Sequence, residues 1–510
     1  MLIQEALTGS VVRSPDKKAV IYGSQCITYK ALDEISDIVA KFLVKSDMEK
    51  GDRVAILMDN YIENVVLFFA TLKAGCIEVG LSPRMSTKFI IYSLTNCSVK
   101  ILFVQGVEKE VLEEILRNVN SLDHVILFDE SLLDCSTSKR IKISLYSQIL
   151  ATNLENLQSF RLKEEDICMI QYTSGSTGTP KGAMLTHKNF ITATKSRTQY
   201  LNIDTSEIYF LAVSLAHSCG KSTLIDCVYN RNTVVLSPGN LSPADFLESI
   251  INNEVTSIIG PPFIYNFLLK ANRISSVRDK LQNQLRHLEI GLSHVPRNLI
   301  YELRSEFPGA SIAIRYGLTE NAGAACLHLF SPESLLEKVD SCGKGMSIVN
   351  IRIIGETGDE ILNGSQGELV LSGDNVMPGY WGQTDSSLSD PGFHSGDLGR
   401  KDQDGFIYIT GRKTEMIKCR GERVSPQEVE EILLNSSLVK EAAAISVKDD
   451  LFGSKLKVVV VPSSSDITAG EINKFCRLNM PSFMVPELIE LRSSLPKAPS
   501  GKIDKISLRS

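Results

Sequence analysis

The chain carries no excess of positive charge: 54 Lys and Arg stand against 60 Asp and Glu in 510 residues, a net charge of −6. Nothing in that balance offsets a phosphate backbone, so a nucleic-acid partner is not expected. Eleven cysteines are scattered from Cys26 to Cys476 without one C-x-x-C pair. Neither a zinc ribbon nor a disulfide framework follows, and reduced cytosolic thiols fit the spacing. No apolar run approaches membrane-spanning length, and the opening "MLIQEALTGSVVRSPD" lacks a basic region followed by an apolar core. The final "SLRS" is no lipidation signal. These absences lead us to expect a cytoplasmic protein without membrane insertion, acting on a small or neutral partner.

What is present is a long chain with a change of texture. Its length allows more than one domain. Between about residues 50 and 320, short β-branched runs such as "DRVAILMDN", "VKILFVQ", "HVILF" and "TVVLSPG" alternate with helical patterns such as "YIENVVLFFATLKAG". Alternation of this kind predicts parallel sheets covered by helices. Ser242 and Pro243 read as the N-cap and first position of a helix. From Ser347 the segments "IVNIRII" and "GELVLSG" are separated by turn residues instead of helices, which predicts a small β-rich subdomain. The last hundred residues read as a compact α/β unit, with capping boxes at Ser425/Glu428 and Thr468/Glu471. The expected fold class is therefore α/β: a large N-terminal domain, 1–411, with a β-rich subdomain at 347–411, and a small mobile C-terminal domain, 412–510.

The stretch "YTSGSTGTPKG", Tyr172 to Gly182, looks built to hold phosphates. Gly175, Gly178 and Gly182 let a backbone turn its N–H groups toward one anion. Thr173, Ser174, Ser176, Thr177 and Thr179 add hydroxyls, and Lys181 adds a charge. The common nucleotide signature G-x-x-x-x-G-K-[ST] is not met here. It also fails at "CGKST", 219–223, because Leu215 stands where its first glycine belongs. A flexible surface loop would share this composition. The strand-like "ICMIQY" before it and "AMLTHKNF" after it leave no linker's length.

"YTSGSTGTPKGAMLTH" closely resembles the phosphate-binding signature of the adenylate-forming superfamily: acyl-CoA synthetases, adenylation domains of peptide synthetases and firefly-type luciferases. The resemblance covers nearly the whole chain. It continues through "ITYKALDE", "YGLTE" (316–320), "GELVLSGDNVMPGYW" (367–381), "HSGDLGRKDQDGFIYITGR" (394–412), "IKCRGERVSPQEVEEIL" (417–433) and "LPKAPSGKIDK" (495–505). So many motifs in the family's order are very specific.

The resemblance implies a carboxylate attacking the α-phosphate of ATP with Mg²⁺ present, then transfer of the acyl group to a thiol. It assigns the ATP phosphates to Thr173, Ser174, Gly175, Ser176, Thr177, Gly178 and Lys181. Glu320 would hold Mg²⁺, Thr319 would meet the α-phosphate, and Tyr316 would stack on adenine. Asp397 and Arg412 would bind the ribose hydroxyls, since a carboxylate can accept two hydrogen bonds at once. Lys502 would bridge the attacking carboxylate and α-phosphate while charge builds. Gly421, without a side chain, would line the tunnel for a pantetheine arm. Two departures stand out: Thr414 sits at the hinge where Asp or Lys is usual, and Ser293 and His294 in "EIGLSHVPRN" replace a glycine-rich segment at the acyl pocket.

His217 stands where amino-acid-activating relatives place an aspartate, so a standard α-amino acid is disfavoured. "HSCG" looks more like the carboxylate-site wall of acyl- and aryl-CoA ligases. Cys219 and Thr223 are candidate acyl-pocket residues beside it. Lys221 either pairs with a second acidic group on the substrate or, as the sequence favours, points to solvent. The leading expectation is an ATP-dependent acyl- or aryl-CoA ligase with a small carboxylic acid and CoA as co-substrates. The alternatives are a stand-alone enzyme loading the phosphopantetheine arm of a carrier protein, and a non-catalytic nucleotide-binding relative. A luciferase-like oxygenase has no further support.

Overall fold

The alternating runs fold into two large, mainly parallel sheets. A computed structural model describes the chain except for residues 136–140, 152–159, 174–179, 239–240, 273–274, 362–363, 384–387, 390–391, 414, 420–421, 450–452, 482–483, 498–501 and 509–510. In the first sheet, Ile167–Thr173, Ile77–Leu81, Arg53–Leu57, Ile101–Val104, His124–Leu127 and Lys142–Leu145 lie parallel in that spatial order. Lys181–Thr186 adds antiparallel to Ile167–Thr173, and Gly379–Tyr380 adds antiparallel to that strand. The second sheet has nine strands. Its parallel centre runs Ser311–Tyr316, His287–Ile290, Ser257–Gly260, Ile208–Leu211, Thr233–Leu236, Lys18–Tyr22.

One apolar cluster joins the sheets. It contains Val54 and Ile56 of the first, Phe210 and Val234 of the second, and most of the helix Ile62–Lys73. The helix Ser218–Asn230 is likewise buried on nearly every side. Parallel strands covered on both faces need such helices, which is why their sequences read as continuous apolar runs. This burial corrects the expectation for Lys221: it is fully buried in that helix and does not reach solvent. Its ammonium lies 3.2 Å from Glu78 and donates to Asn64 Oδ1 at 2.9 Å.

The β-rich segment is a five-stranded sheet that includes Val349–Ile354, Gly367–Gly373, Gly392–Lys401 and Ile407–Arg412. Beyond it, the strands Val439–Asp449, Gly453–Pro462 and Leu488–Leu491 form a separate sheet flanked by Pro426–Leu434 and Ala469–Asn479. The apolar clusters of this region draw only on residues from Ile417 to Leu508. Ser242 and Thr468 form the expected capping boxes. At Ser425 only half of one is made. Its Oγ accepts from Glu428 N at 3.4 Å and donates to the Thr410 carbonyl at 2.5 Å, tying the helix start to the strand Ile407–Arg412 of the β-rich sheet. All ten described cysteines other than Cys419 are free thiols. No helix among the described residues is long and apolar enough to cross a membrane.

Candidate active site

The loop after Ile167–Thr173 begins and ends at one point, because Thr173 pairs with Lys181 across the antiparallel strands. Ser174, Gly175, Ser176, Thr177 and Gly178 lie outside the described residues. Gly182 is part of the strand, opposite Tyr172. A Cβ there would lie 2.8 Å from Ile170 Cγ2 and 3.1 Å from the Tyr172 ring, so its missing side chain serves packing. Its carbonyl accepts from the backbone N–H of Trp381 at 2.8 Å, and the Arg53 guanidinium lies over the Trp381 ring at 5.4 Å.

Lys181 stands over the ring of Tyr380 at 4.8 Å, and the Tyr380 hydroxyl donates to Glu320 Oε1 at 2.6 Å. Tyr380 thus joins the loop's lysine to the acidic residue of "YGLTE". Sequence reasoning did not single it out, although it stands in the quoted "MPGYW". The turn presenting Thr319 and Glu320 depends on two glycines in close approach. A Cβ on Gly317 would lie 2.3 Å from the carbonyl carbon of Gly323, which itself has φ +69°. Asn321 closes the turn, accepting from Leu318 N and Ala324 N at 2.9 and 3.2 Å.

Asp397 and Arg412 face each other in the register of neighbouring antiparallel strands. Arg412 Nε donates to Asp397 Oδ1 at 2.6 Å, and the Tyr316 hydroxyl donates to Oδ2 at 2.7 Å. Lys502 comes within electrostatic range of this pair and of His217. Water still reaches Lys502, yet protein crowds its ammonium, and that crowding lowers its pKa. Arg412 lowers it further, while Asp397 and Glu415 oppose the shift. His217 caps the helix Ser218–Asn230, its Nδ1 accepting from Cys219 N at 3.3 Å. Burial, and then Lys502, push its pKa down to about 4, so near neutrality the imidazole is uncharged with its proton on Nε2.

Beside this cleft a cavity of about 390 Å³, including its open mouth, is lined by His217, Ser218, Cys219, Leu292, Thr319 and the buried pair Glu289–Arg315, among others. Ser218 Oγ and Thr319 Oγ1 are 3.1 Å apart at one side. Three of the expected pocket residues do not line it. Thr223 turns back along its helix, donating to the Cys219 carbonyl at 2.9 Å. Leu292 has φ 70°, and this left-handed turn carries Ser293 outward and His294 to Gln427, whose Nε2 lies 3.3 Å from His294 Nδ1. The Glu289–Arg315 pair was not foreseen; the only signal was an arginine directly before "YGLTE". Gly421 and Thr414 lie outside the described residues.

The donor set near Glu320 suits magnesium. No group of three or more His, Cys, Asp and Glu side chains able to hold a metal occurs among the described residues. A partly exposed carboxylate can therefore supply one protein oxygen, with phosphates and water completing the shell, the arrangement Mg²⁺ favours.

Residues 7–381 match the AMP-binding enzyme family, and residues 428–502 match the AMP-binding enzyme C-terminal domain. The chain is 27% identical to a long-chain-fatty-acid–CoA ligase of Salmonella typhimurium, covering 99% of this chain and 93% of that protein. It is 28% identical to a feruloyl-CoA synthase of Amycolatopsis, covering 97% and 96%. The o-succinylbenzoate CoA synthetase of Bacillus subtilis, solved with its acyl-adenylate intermediate, superposes with a TM-score of 0.84 at 26% identity over 99% of this chain and 98% of that one. The same enzyme has also been solved with ATP and magnesium ion. The chain belongs to the AMP-binding enzyme family, as an ATP-dependent, AMP-forming ligase of the acyl-CoA synthetase type.

Proposed function

We propose that this protein activates a small carboxylic acid as its acyl-adenylate and passes the acyl group to the thiol of CoA. In the first half, a carboxylate oxygen bonds to the α-phosphorus of ATP, the α–β bridging bond breaks, and pyrophosphate leaves. In the second, the thiol sulfur bonds to the acyl carbon, its proton is lost, and AMP departs. The observation that carries the reading is the pair of contacting side-chain sets Tyr316–Asp397–Arg412 and Lys181–Tyr380–Glu320, assembled from sequence positions far apart.

In this reading Asp397 and Arg412 hold the ribose, Tyr316 borders the adenine, and Thr173 and Lys181 flank the phosphates. Thr319 meets the α-phosphate. Lys502 holds the two reacting groups in line and offsets the charge that builds between them. His217, neutral, walls the carboxylate without adding a competing cation. Glu320, oriented by Tyr380, would hold Mg²⁺. The metal supplies charge neutralisation for the departing pyrophosphate.

Residues 412–510 act as the mobile unit, supported by apolar clusters that, among the described residues, draw only on Ile417 to Leu508. Near the cavity its Gln427 Nε2 lies 3.3 Å from His294 Nδ1, a contact light enough to be remade each turnover. The test is pyrophosphate release over fatty, aromatic, hydroxy- and dicarboxylic acids, with and without CoA. Turnover rising sharply with CoA is the expected result. Adenylation indifferent to CoA would move the acceptor to a carrier protein, and silence with every acid would sink the ligase reading.

A further inference from the structure

Glu289 and Arg315 belong to neighbouring parallel strands and are each 7% exposed, yet both line the cavity. The guanidinium is fixed on three sides. Nη1 donates to Glu289 Oε1 at 3.0 Å, Nε to the Gly323 carbonyl at 2.7 Å, and Nη2 to Ser222 Oγ at 2.9 Å. A guanidinium has about five N–H donors, so two are not used by these partners.

The helix Ser218–Asn230 measures the depth of the cavity. Ser218 touches Thr319, where adenylation is assigned, and Ser222 touches Arg315. Four residues of helix separate them, roughly 6 Å along its axis. The ion pair therefore stands about one helical turn from the reacting carboxylate.

We propose that the Glu289–Arg315 pair is the specificity-determining floor of the acyl site, and that the acid accepted is short and carries an uncharged hydrogen-bonding group at its far end. This rests on the acyl-adenylate reading above. An alkyl end pressed onto the pair would strip its remaining hydration and return no hydrogen bond. A longer chain would have to displace an arginine held by three partners. A hydroxyl or carboxamide can accept from the guanidinium and donate to the Glu289 carboxylate, and because the pair's charges cancel, a neutral end is served best.

The experiment measures kcat/KM for pyrophosphate release with 4-hydroxybutyrate and succinamate, with succinate, and with pentanoate, octanoate and palmitate. The polar neutral acids should exceed pentanoate by about tenfold or more. In the double variant Glu289→Leu/Arg315→Leu that ratio should invert. A pair that serves only folding would lower turnover of all acids alike and leave the ratio in place, which would overturn the proposal. Should the double variant fail to fold, the wild-type ratios decide: preference for any alkyl acid, or for succinate, overturns it. Silence with every acid overturns the ligase reading and this inference together, whereas brisk turnover of palmitate overturns this inference alone.

Discussion

The ammonium of Lys221 lies 3.2 Å from the carboxylate of Glu78, and both side chains are buried, on a helix and a strand that belong to different layers of the fold. The ammonium also stands 4.4 Å over the ring of Phe68. Burial pushes the Glu78 pKa up and the Lys221 pKa down, and each partner's charge pulls the other back. Removing one of two charges held out of water in this way leaves the other buried without its partner.

Lys221→Met alone should therefore destabilise the protein by about 3–5 kcal/mol, because it strands the Glu78 carboxylate. Glu78→Leu together with Lys221→Met should recover most of that loss. Denaturant unfolding of the two single variants and the double variant gives the coupling directly; additive losses would mean that the two groups do not act as a pair.

Lys502→Ala should slow pyrophosphate release by roughly a hundredfold or more. Thioester formation from a supplied acyl-adenylate should survive. Because crowding lowers the Lys502 pKa, its positive charge is lost as pH rises at a lower pH than for an ordinary lysine. The alkaline fall of adenylation should begin there, and Lys502→Arg, whatever its residual rate, should move that fall upward. A pH profile identical in Lys502→Arg would assign the alkaline limb to another group.

Tyr316→Phe should raise the KM for ATP by about fivefold, the worth of one hydrogen bond onto Asp397. Asp397→Ala should raise it much further, since both Tyr316 and Arg412 lose their acceptor. Equal effects from the two substitutions would place the ribose elsewhere.

Four histidines, His124, His187, His217 and His294, have pKa values pushed down to about 4, in every case chiefly by burial. In the unfolded chain each titrates near the ordinary value of about 6.5. Between these values the unfolded state binds more protons, so the stability contribution is whole above about pH 6.5 and is lost as pH falls toward 4. The unfolding temperature should drop on acidification from pH 6.5 to 5. His187→Gln, at a site where Nδ1 accepts from Ile3 N, should flatten the slope. An unchanged slope in that variant would remove His187 from the account.

Local structure was largely legible. "DRVAILMDN" contains the strand Arg53–Leu57, and Ser242 caps its helix as its spacing implies. What the sequence hid depends on packing between distant segments. A lysine in "CGKST" reads as solvated until the helix is found buried between layers, and no local pattern pairs it with Glu78. The placement of Ser293 and His294 turned on a single positive φ at Leu292. The Glu289–Arg315 floor needs two strands placed side by side, whereas Asp397 and Arg412 carry their motif's resemblance with them and meet as neighbours in register.

Trp381 is the only tryptophan in the chain, and its backbone is bonded to Gly182 at the base of the hairpin formed by Ile167–Thr173 and Lys181–Thr186. It follows Tyr380, the residue that joins Lys181 to Glu320. Light absorbed at the red edge of the protein's ultraviolet band is therefore emitted from one known address, without any engineered label. Stopped-flow fluorescence of the unmodified enzyme thus reports on the surroundings of this one hairpin.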